Sequence, residues 1–572
     1  MSQPGAKTYA FAKQDGLAVT AYPGDGCMLL AMDLEQPPRP GFAGFAIRRV
    51  APDGKAEWLP NRLNFVKALS PDTAPERHVW TPSNEAPFAK FRWIDFPSRP
   101  QPGRYRYEVS AMRRRADGKF EALQSVSLAL PLEAEKYRNF GFGFTRGYLS
   151  SQAYATEFKN APVRPGGRKT LEFDTGSFAK RYAWLGYSAR RMVFDFLDEA
   201  IRTGGATLDL FAYDLDEPDF VRGLVRLKKR LRAFLDDARL HTAPSSLEPK
   251  ACRMLVASAG TENIRRGHFR RFAHDKVMVL RVNGTPVKVL TGSANFSVRG
   301  LYVQANNVLV FDDAEVAKLY AQAFDEAFDD PSKVQAAFSR AQIAAKWFDL
   351  DRAGLPGCGF CFSPHRDADI SLHRVADAIR GAKSSVMFAI MSIGRSGGPV
   401  MDCVRGLDKL KVFSYGVTQD SASLKIFPPG SDKGLAMPFD YLDTKVPKPF
   451  VKEWRGGPGQ VVHHKFVVVD FNAQDAAVFT GSSNLASGGE TSNGDNLVAI
   501  RDRGVACAYA IEAVRLLDHY HFRHVWKTGT RTRPLILSVE KRNGRYWWEP
   551  YFDIRDVHYR DRLTFSRMQE ES

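Results

Sequence analysis

His463 and Lys465 stand two residues apart at the start of the apolar run VVHHKFVVVD, residues 461–470. On a strand, side chains at i and i+2 share a face, so these two point one way and His464 the other. Two cationic donors on one face of a buried strand are costly unless an anion visits them. Gly481-Ser482-Ser483-Asn484 follows and offers backbone N–H groups, a hydroxyl and an amide to phosphate oxygens. The same kit occurs earlier as His274-Asp275-Lys276 and Gly292-Ser293-Ala294-Asn295. His274 to His463, Gly292 to Gly481 and Asn307 to Asn496 are each 189 positions apart, a fixed offset that marks duplication.

The elements that must position these residues also recur. In the first copy KVMVLRV and PVKVLTG flank Asn283-Gly284, a tight-turn signal that brings the His-Lys strand beside the Gly-Ser-x-Asn loop. Upstream, YSARRMVFDFLDEAIRTGG reads as a helix and ATLDLFAY as a strand. FVRGLVRLKKRLRAFLDDA reads as an amphipathic helix with a basic face, and RMLVASAG as a strand. In the second copy SLHRVADAIRGAKSS precedes the strands VMFAIM and KVFSYGV. Alternating elements of this kind argue for an α/β layer fold used twice. Residues 1–135 differ: short, partly alternating apolar runs separated by Gly, Pro and Asp turns predict an all-β, immunoglobulin- or fibronectin-like sandwich. No catalytic cluster falls there, so a structural or protein-partner role is expected.

At 572 residues the chain is expected to hold three or four domains, and its 44% apolar content excludes a disordered protein. The net charge of +17 favours an anionic partner, either nucleic acid or an anionic phospholipid surface. No signal-peptide pattern opens the sequence and no run of 18 apolar residues occurs, so a cytoplasmic location without a transmembrane segment is expected. Six cysteines are sparse, and the lone Cys358-x-x-Cys361 reads as packing rather than zinc or redox chemistry. No metal or cofactor is expected.

Over roughly residues 140–530 the sequence resembles the phospholipase D superfamily, whose signature is His-x-Lys-x4-Asp followed by Gly-Ser-x-Asn. The resemblance implies an α/β fold of two phospholipase D-like α/β/α sandwich halves forming a pseudo-dimer, here preceded by the all-β domain. The implied domains are 1–135, 136–350 and 351–572, the last with a C-terminal extension. It also implies a metal-independent phosphodiesterase acting through a phosphohistidine: one histidine attacks phosphorus, and the other protonates the leaving oxygen and then activates water. Carried onto this sequence, the catalytic residues are His274, His463, Lys276 and Lys465. The supporting residues are Asn295, Asn484, Ser293, Ser482, Asp470, Asp495, Asn306, Asn307 and Asn496. The copies differ. Arg281 stands where the second copy has Asp470, and Asn306 where it has Asp495, so the first copy lacks both acids, as tyrosyl-DNA phosphodiesterases lack the motif aspartates.

A carboxylate near an imidazole favours its charged form. With Asp495 expected beside His463, His463 is expected to be the general acid and His274, oriented by an amide, the nucleophile. His464 is expected to be structural, and Ser293 and Ser482 to cap helices or support the site. Arg265, Arg266, His268, Arg270 and Arg271 precede the first motif and read as a solvated loop or a substrate-backbone track. The aromatic run RYWWEPYFDIRDVHYRDRLTF is expected to close the last domain's core. The expected activity is cleavage of nucleic-acid phosphodiesters. The alternatives are hydrolysis or transfer of phospholipid headgroups and a non-catalytic binding protein with a degenerate site.

Overall fold

The computed structural model describes residues 8–66, 79–134, 137–147, 152–159, 161–166, 170–243, 246–329, 337–393, 397–420, 425–428, 430–438, 461–528 and 535–567. The expected boundary at 135/136 lies outside them. The N-terminal part is built of strands. Ala10–Gln14, Leu17–Pro23, Met28–Leu34 and Arg92–Asp95 form one four-stranded antiparallel sheet. Phe120–Pro131, Arg104–Arg114, Phe42–Val50 and Ala56–Trp58 form another. Val19, Leu30, Phe45, Ile47 and Tyr107 from the two sheets share one core. The aromatic run near the C-terminus divides: its first part joins this core, while Phe565 packs on Phe413 and Phe471 of the last α/β unit as expected. Trp548 and Tyr551 are buried in the N-terminal core, because Phe42 and Phe91 supply stacking partners for Trp547 and Tyr551. The buried Arg92 pairs with Asp518 and Asp561, tying the two ends of the chain together.

The rest of the chain is mixed α/β. One sheet runs Phe140–Phe144, Asn307–Phe311, Thr285–Gly292, Lys276–Val282, Ala206–Ala212, Leu231–Asp236, Ile264–Gly267. The other runs Gly357–Ser363, Asn493–Arg501, Ala477–Gly481, Lys465–Val469, Ser385–Ile390, Phe413–Thr418, Gly434–Pro438, with Phe348–Leu350 added outside the first strand. Parallel and antiparallel neighbours match strand for strand, and in both sheets the His-Lys strand enters antiparallel at the same place. The turn at Asn283-Gly284 has φ of 50° and 81°, with Val282 opposite Thr285, as a two-residue hairpin requires.

Two expected elements differ from those observed. Residues 220–238 do not form one helix. The helix Pro218–Leu227 ends at Lys228, whose φ is 53°, and Leu231–Asp236 is a strand. Its Leu231, Ala233 and Leu235 face one core and Phe234 faces another, a period of two hidden inside an apolar run. Conversely, RMLVASAG lies in the helix Glu248–Ala259, where Ala251, Leu255 and Ala259 are buried at intervals of four.

Candidate active site

Short segments of the two repeats pair with each other at the site. Phe272 and Ala273 pair in parallel with Asn493 and Gly494 of the second sheet, and Ala305 pairs in the same sense with Val462. Both crossings sit immediately before a motif histidine. The His274 N–H donates to the Gly494 carbonyl at 2.8 Å, and the His463 N–H to the Ala305 carbonyl at 3.2 Å. These two bonds are related by the same offset of 189 as the motifs.

The crossing decides which side chain each imidazole meets. His274 Nδ1 lies 2.7 Å from Asp495, and His463 Nδ1 lies 2.8 Å from Asn306 Oδ1. The expected pairing of Asp495 with His463 is therefore corrected: each histidine takes its partner from the other repeat. Asn306 is oriented by its own bonds. Its amide donates to the Gly300 carbonyl at 2.9 Å and its Oδ1 accepts the Ser293 hydroxyl at 2.9 Å. The His463 Nδ1–H thus donates to Oδ1, and Nε2 is the ring nitrogen left for chemistry in each histidine, that of His463 lying 3.3 Å from the Lys465 ammonium.

Both imidazoles are buried, 5% exposed each. Burial, with the charges of Lys276 and Lys465, holds His274 well below the usual imidazole range. Burial, with the same two lysines and His274, does the same to His463. Both shifts favour the neutral imidazole at rest, against the direction expected for His463. The lysines are perturbed too. Burial brings Lys276 down to about 8, partly offset by Asp495, and holds Lys465 well below the ordinary lysine range. Each ammonium is tethered: Lys276 donates to the His274 carbonyl, and Lys465 to the His463 carbonyl at 2.8 Å. Burial pushes Asp495 and Asp275 up to about 7, with Asp495 adding repulsion at Asp275.

The Gly-Ser-x-Asn loops fold identically. Gly292 and Gly481 have φ of 141° and 138°, and a Cβ on either would lie 2.4 Å from the carbonyl of Asn307 or Asn496. That close approach requires glycine. Ser293 and Ser482 do not cap helices. Their hydroxyls accept the N–H of Asn307 at 3.0 Å and of Asn496 at 2.9 Å, and Ser297 caps the following helix, Val298–Tyr302. Asn307 and Asn496 join the halves: the Asn307 amide donates to Thr480 at 2.6 Å, and the Thr291 hydroxyl donates to Asn496 at 2.9 Å. Asn295 Oδ1 and Asn484 Oδ1 have no hydrogen-bond partner among the described residues.

The motif acid and its replacement lie outside this cluster. The Asp470 carboxylate accepts the N–H groups of Lys383, Ser384 and Ser385. Arg281 bridges Asp209 and Asp325, which Arg232 also joins, so the basic substitution completes a four-member ion network. His464 points away and meets Glu512 at 2.9 Å, as its strand position predicts.

Sequence reasoning missed a second layer behind Asn295. The Asn295 amide donates to Asp214 at 2.7 Å, Asp214 meets His241 at 2.8 Å, and His241 meets Asp236 at 2.6 Å. Asp236 also accepts the Ala273 N–H beside His274 at 2.6 Å. In the second repeat Gln419 takes that place, accepting the Val462 N–H at 3.1 Å. The Tyr213 ring lies edge-on to His274 at 4.7 Å and under the Lys276 ammonium at 4.9 Å. The available signal was position: Tyr213 and Asp214 follow the C-terminal end of Ala206–Ala212, where open α/β sheets place ligands. Asp275, the x of the first His-x-Lys, was also missed; it accepts the Asn496 amide at 2.7 Å. Among the described residues, Asp214, His241 and Glu248 have ligand atoms within 4.8 Å of one another. Burial opposes charge on His241, but its bonds to Asp214 and Asp236 outweigh this and bring it up to about 10. As an imidazolium it offers a cation no lone pair.

A family profile described as "Cardiolipin synthase, PLD-like domain" matches residues 197–328. Mitochondrial cardiolipin hydrolase of Xenopus laevis is 28% identical over 127 residues, 22% of this chain and 55% of that protein. The chain thus spans about half the length of this curated relative. Among solved structures, phosphatidylserine synthase of Haemophilus influenzae Rd KW20 is similar with a TM-score of 0.39 and 13% identity, covering 57% of this chain and 84% of that one. Yeast tyrosyl-DNA phosphodiesterase gives a TM-score of 0.29 and 11% identity, covering 53% and 84%. The matched segment carries the first His-Lys and Gly-Ser-x-Asn motif pair, so residues 197–328 hold a phospholipase D-like domain.

Proposed function

We propose that this protein is a metal-independent phosphodiesterase acting through a phosphohistidine on nucleic-acid backbones. The observation that carries the reading is the reciprocal crossing, which sets His274 on Asp495 and His463 on Asn306 at one junction with both motif lysines. His274 Nε2 attacks phosphorus, and the carboxylate of Asp495 stabilises the imidazolium that forms. Lys276, Lys465, Asn295 and Asn484 bind the phosphoryl oxygens. The bound anion offsets the two ammonium charges that depress His463, so His463 takes up a proton and delivers it to the leaving oxygen. It then removes a proton from the water that cleaves the phosphohistidine. The nucleophile stays the one expected, for a different reason: the carboxylate serves the attacking ring rather than the acid.

We assign residues 136–350 and 351–572 to the two halves of a pseudo-dimer, and residues 1–135 to an all-β domain that supports them or docks a protein partner. The matched strand orders support the first assignment. No helix among the described residues is long and apolar enough to cross a membrane. We keep the cytoplasm as the expected location, and six free cysteines support it. A second reading, cleavage of phospholipid headgroups, is favoured by the family profile and the curated relative, both named for cardiolipin. The test is hydrolysis in excess EDTA by wild type and His463→Ala, on labelled DNA and RNA beside phosphatidylglycerol vesicles. Nucleic-acid cleavage lost in the variant supports the first reading; headgroup release with intact nucleic acid replaces it with the second.

A further inference from the structure

The basic segment before the first motif is less free than its composition implies. Arg265 donates to the Thr261 carbonyl, Arg266 to the carbonyls of Asp236 and His241, and His268 meets Asp237 at 2.5 Å. Arg271 is different. It is exposed and stacks on Phe272 with its guanidinium 5.4 Å from the ring centre. It also reaches the second repeat, where Nη1 lies 3.8 Å from the position a Cβ on Gly488 would take. Gly488 is the counterpart, 189 positions on, of Arg299. Arg299 sits in the short helix Val298–Tyr302, whose Gly300 packs directly on the backbone of Asn295. Its Nε is buried without a hydrogen-bond partner among the described residues, and its charge acts on both His463 and Asp214. Neither guanidinium has a carboxylate partner among the described residues, whereas the buried Arg92, Arg515 and Arg562 are all paired. One repeat supplies Arg299; the other leaves room at Gly488 for Arg271 to reach over. Each repeat's motif loop thus has beside it an arginine without an ion-pair partner among the described residues: Arg299 next to the Gly300 that packs on Asn295, and Arg271 over Gly488. The charge of Arg299 acts on His463 and that of Arg271 on Tyr213, the ring against His274.

We propose that Arg271 and Arg299 hold the phosphates flanking the scissile one, so that the site takes a nucleic-acid strand rather than an isolated diester. A partly buried cation without an ion-pair partner is costly, and a phosphate on that side of the reacting one removes the cost at Arg299, while the exposed Arg271 is free to meet the phosphate on the other side. Arg271 on its ring also offers a stacked plane for a neighbouring base. This inference rests on the phosphodiesterase reading above.

The test uses the full-length chain and the variants R271Q, R299Q and R271Q/R299Q. Binding of a fluorescent single-stranded oligodeoxynucleotide is followed on a His463→Asn background, so that it is read independently of turnover. Each arginine removed is expected to make the log–log dependence of affinity on salt shallower by about 0.7. For turnover, the ratio of kcat/KM on the oligonucleotide to that on bis-p-nitrophenyl phosphate is expected to fall several-fold per arginine. An unchanged salt dependence overturns the proposal, as does an equal loss on both substrates, which would put the arginines on the scissile phosphate. A reduced salt dependence seen on cardiolipin vesicles and not on the oligonucleotide also overturns it. If wild type cleaves neither substrate yet the salt dependence falls as expected, the phosphodiesterase reading fails and the arginine track stands.

Discussion

Replacing Asp495 by Asn removes a charge and little else. The carboxylate lies 2.7 Å from His274 Nδ1, and the Asn306–His463 pair at 2.8 Å provides the amide geometry the variant would adopt. With about 4 Å between the centres of ring and carboxylate, and an effective dielectric near 20, a full charge on the imidazole gains about 4 kcal/mol. If roughly half of that charge has formed in the transition state, the carboxylate contributes about 2 kcal/mol, or about thirtyfold in rate. The assay is the single-turnover rate of D495N on a labelled oligonucleotide at pH 8, beside N306A. Removing the neutral hydrogen bond at His463 is expected to cost about 1 kcal/mol, or about fivefold. Burial pushes Asp495 up to about 7, so its carboxylate is neutralised as the pH falls below that value. Wild type should therefore lose activity on the acid side of pH 7 along a limb that D495N lacks. A D495N rate within twofold of wild type, or a larger loss in N306A, would refute the assignment of Asp495 to the attacking ring.

Other consequences are direct. His463→Asn should accumulate the phosphoenzyme from an aryl diester with a good leaving group, detected by intact-mass spectrometry, because water is then not activated. Burial raises Asp275 to about 7, so its folded form prefers the proton and its stability contribution falls as pH rises from about 4 through 7. Asp275→Asn should consequently gain more stability at pH 8 than at pH 5 in urea unfolding. Arg281→Ala leaves the buried Asp209 with Arg232 alone and should cost about 2–4 kcal/mol in the same assay. Asp470→Ala strands three backbone N–H groups and should lose about 2–3 kcal/mol of stability.

Much of this architecture was legible because the duplication fixes it twice. The offset of 189 relates not only the motifs but also the crossings at Ala273 and Val462 and the serine bonds to Asn307 and Asn496. What one sequence does not convey is which repeat's side chain reaches which histidine. Asp495 is nearer in sequence to His463, yet the pairing between repeats carries it to His274. The Asp236–His241–Asp214 chain was illegible for a related reason: its members come from separate elements and carry no motif spacing. The helix and strand errors at 220–238 and 253–260 arose in short apolar runs, where tertiary packing rather than periodicity selects the element. Arg281 reads as a lost acid in the sequence, and only the neighbouring Asp209 and Asp325 reveal its role.

The central claim is that His274 becomes phosphorylated. The direct measurement is alkaline quench of H463N with a substrate labelled at phosphorus, followed by peptide mapping under conditions that preserve phosphohistidine. Label on the peptide bearing His274, absent when His274 is also replaced, is the predicted result. Label on His463 in the H274N protein, with none on His274 in H463N, would contradict it.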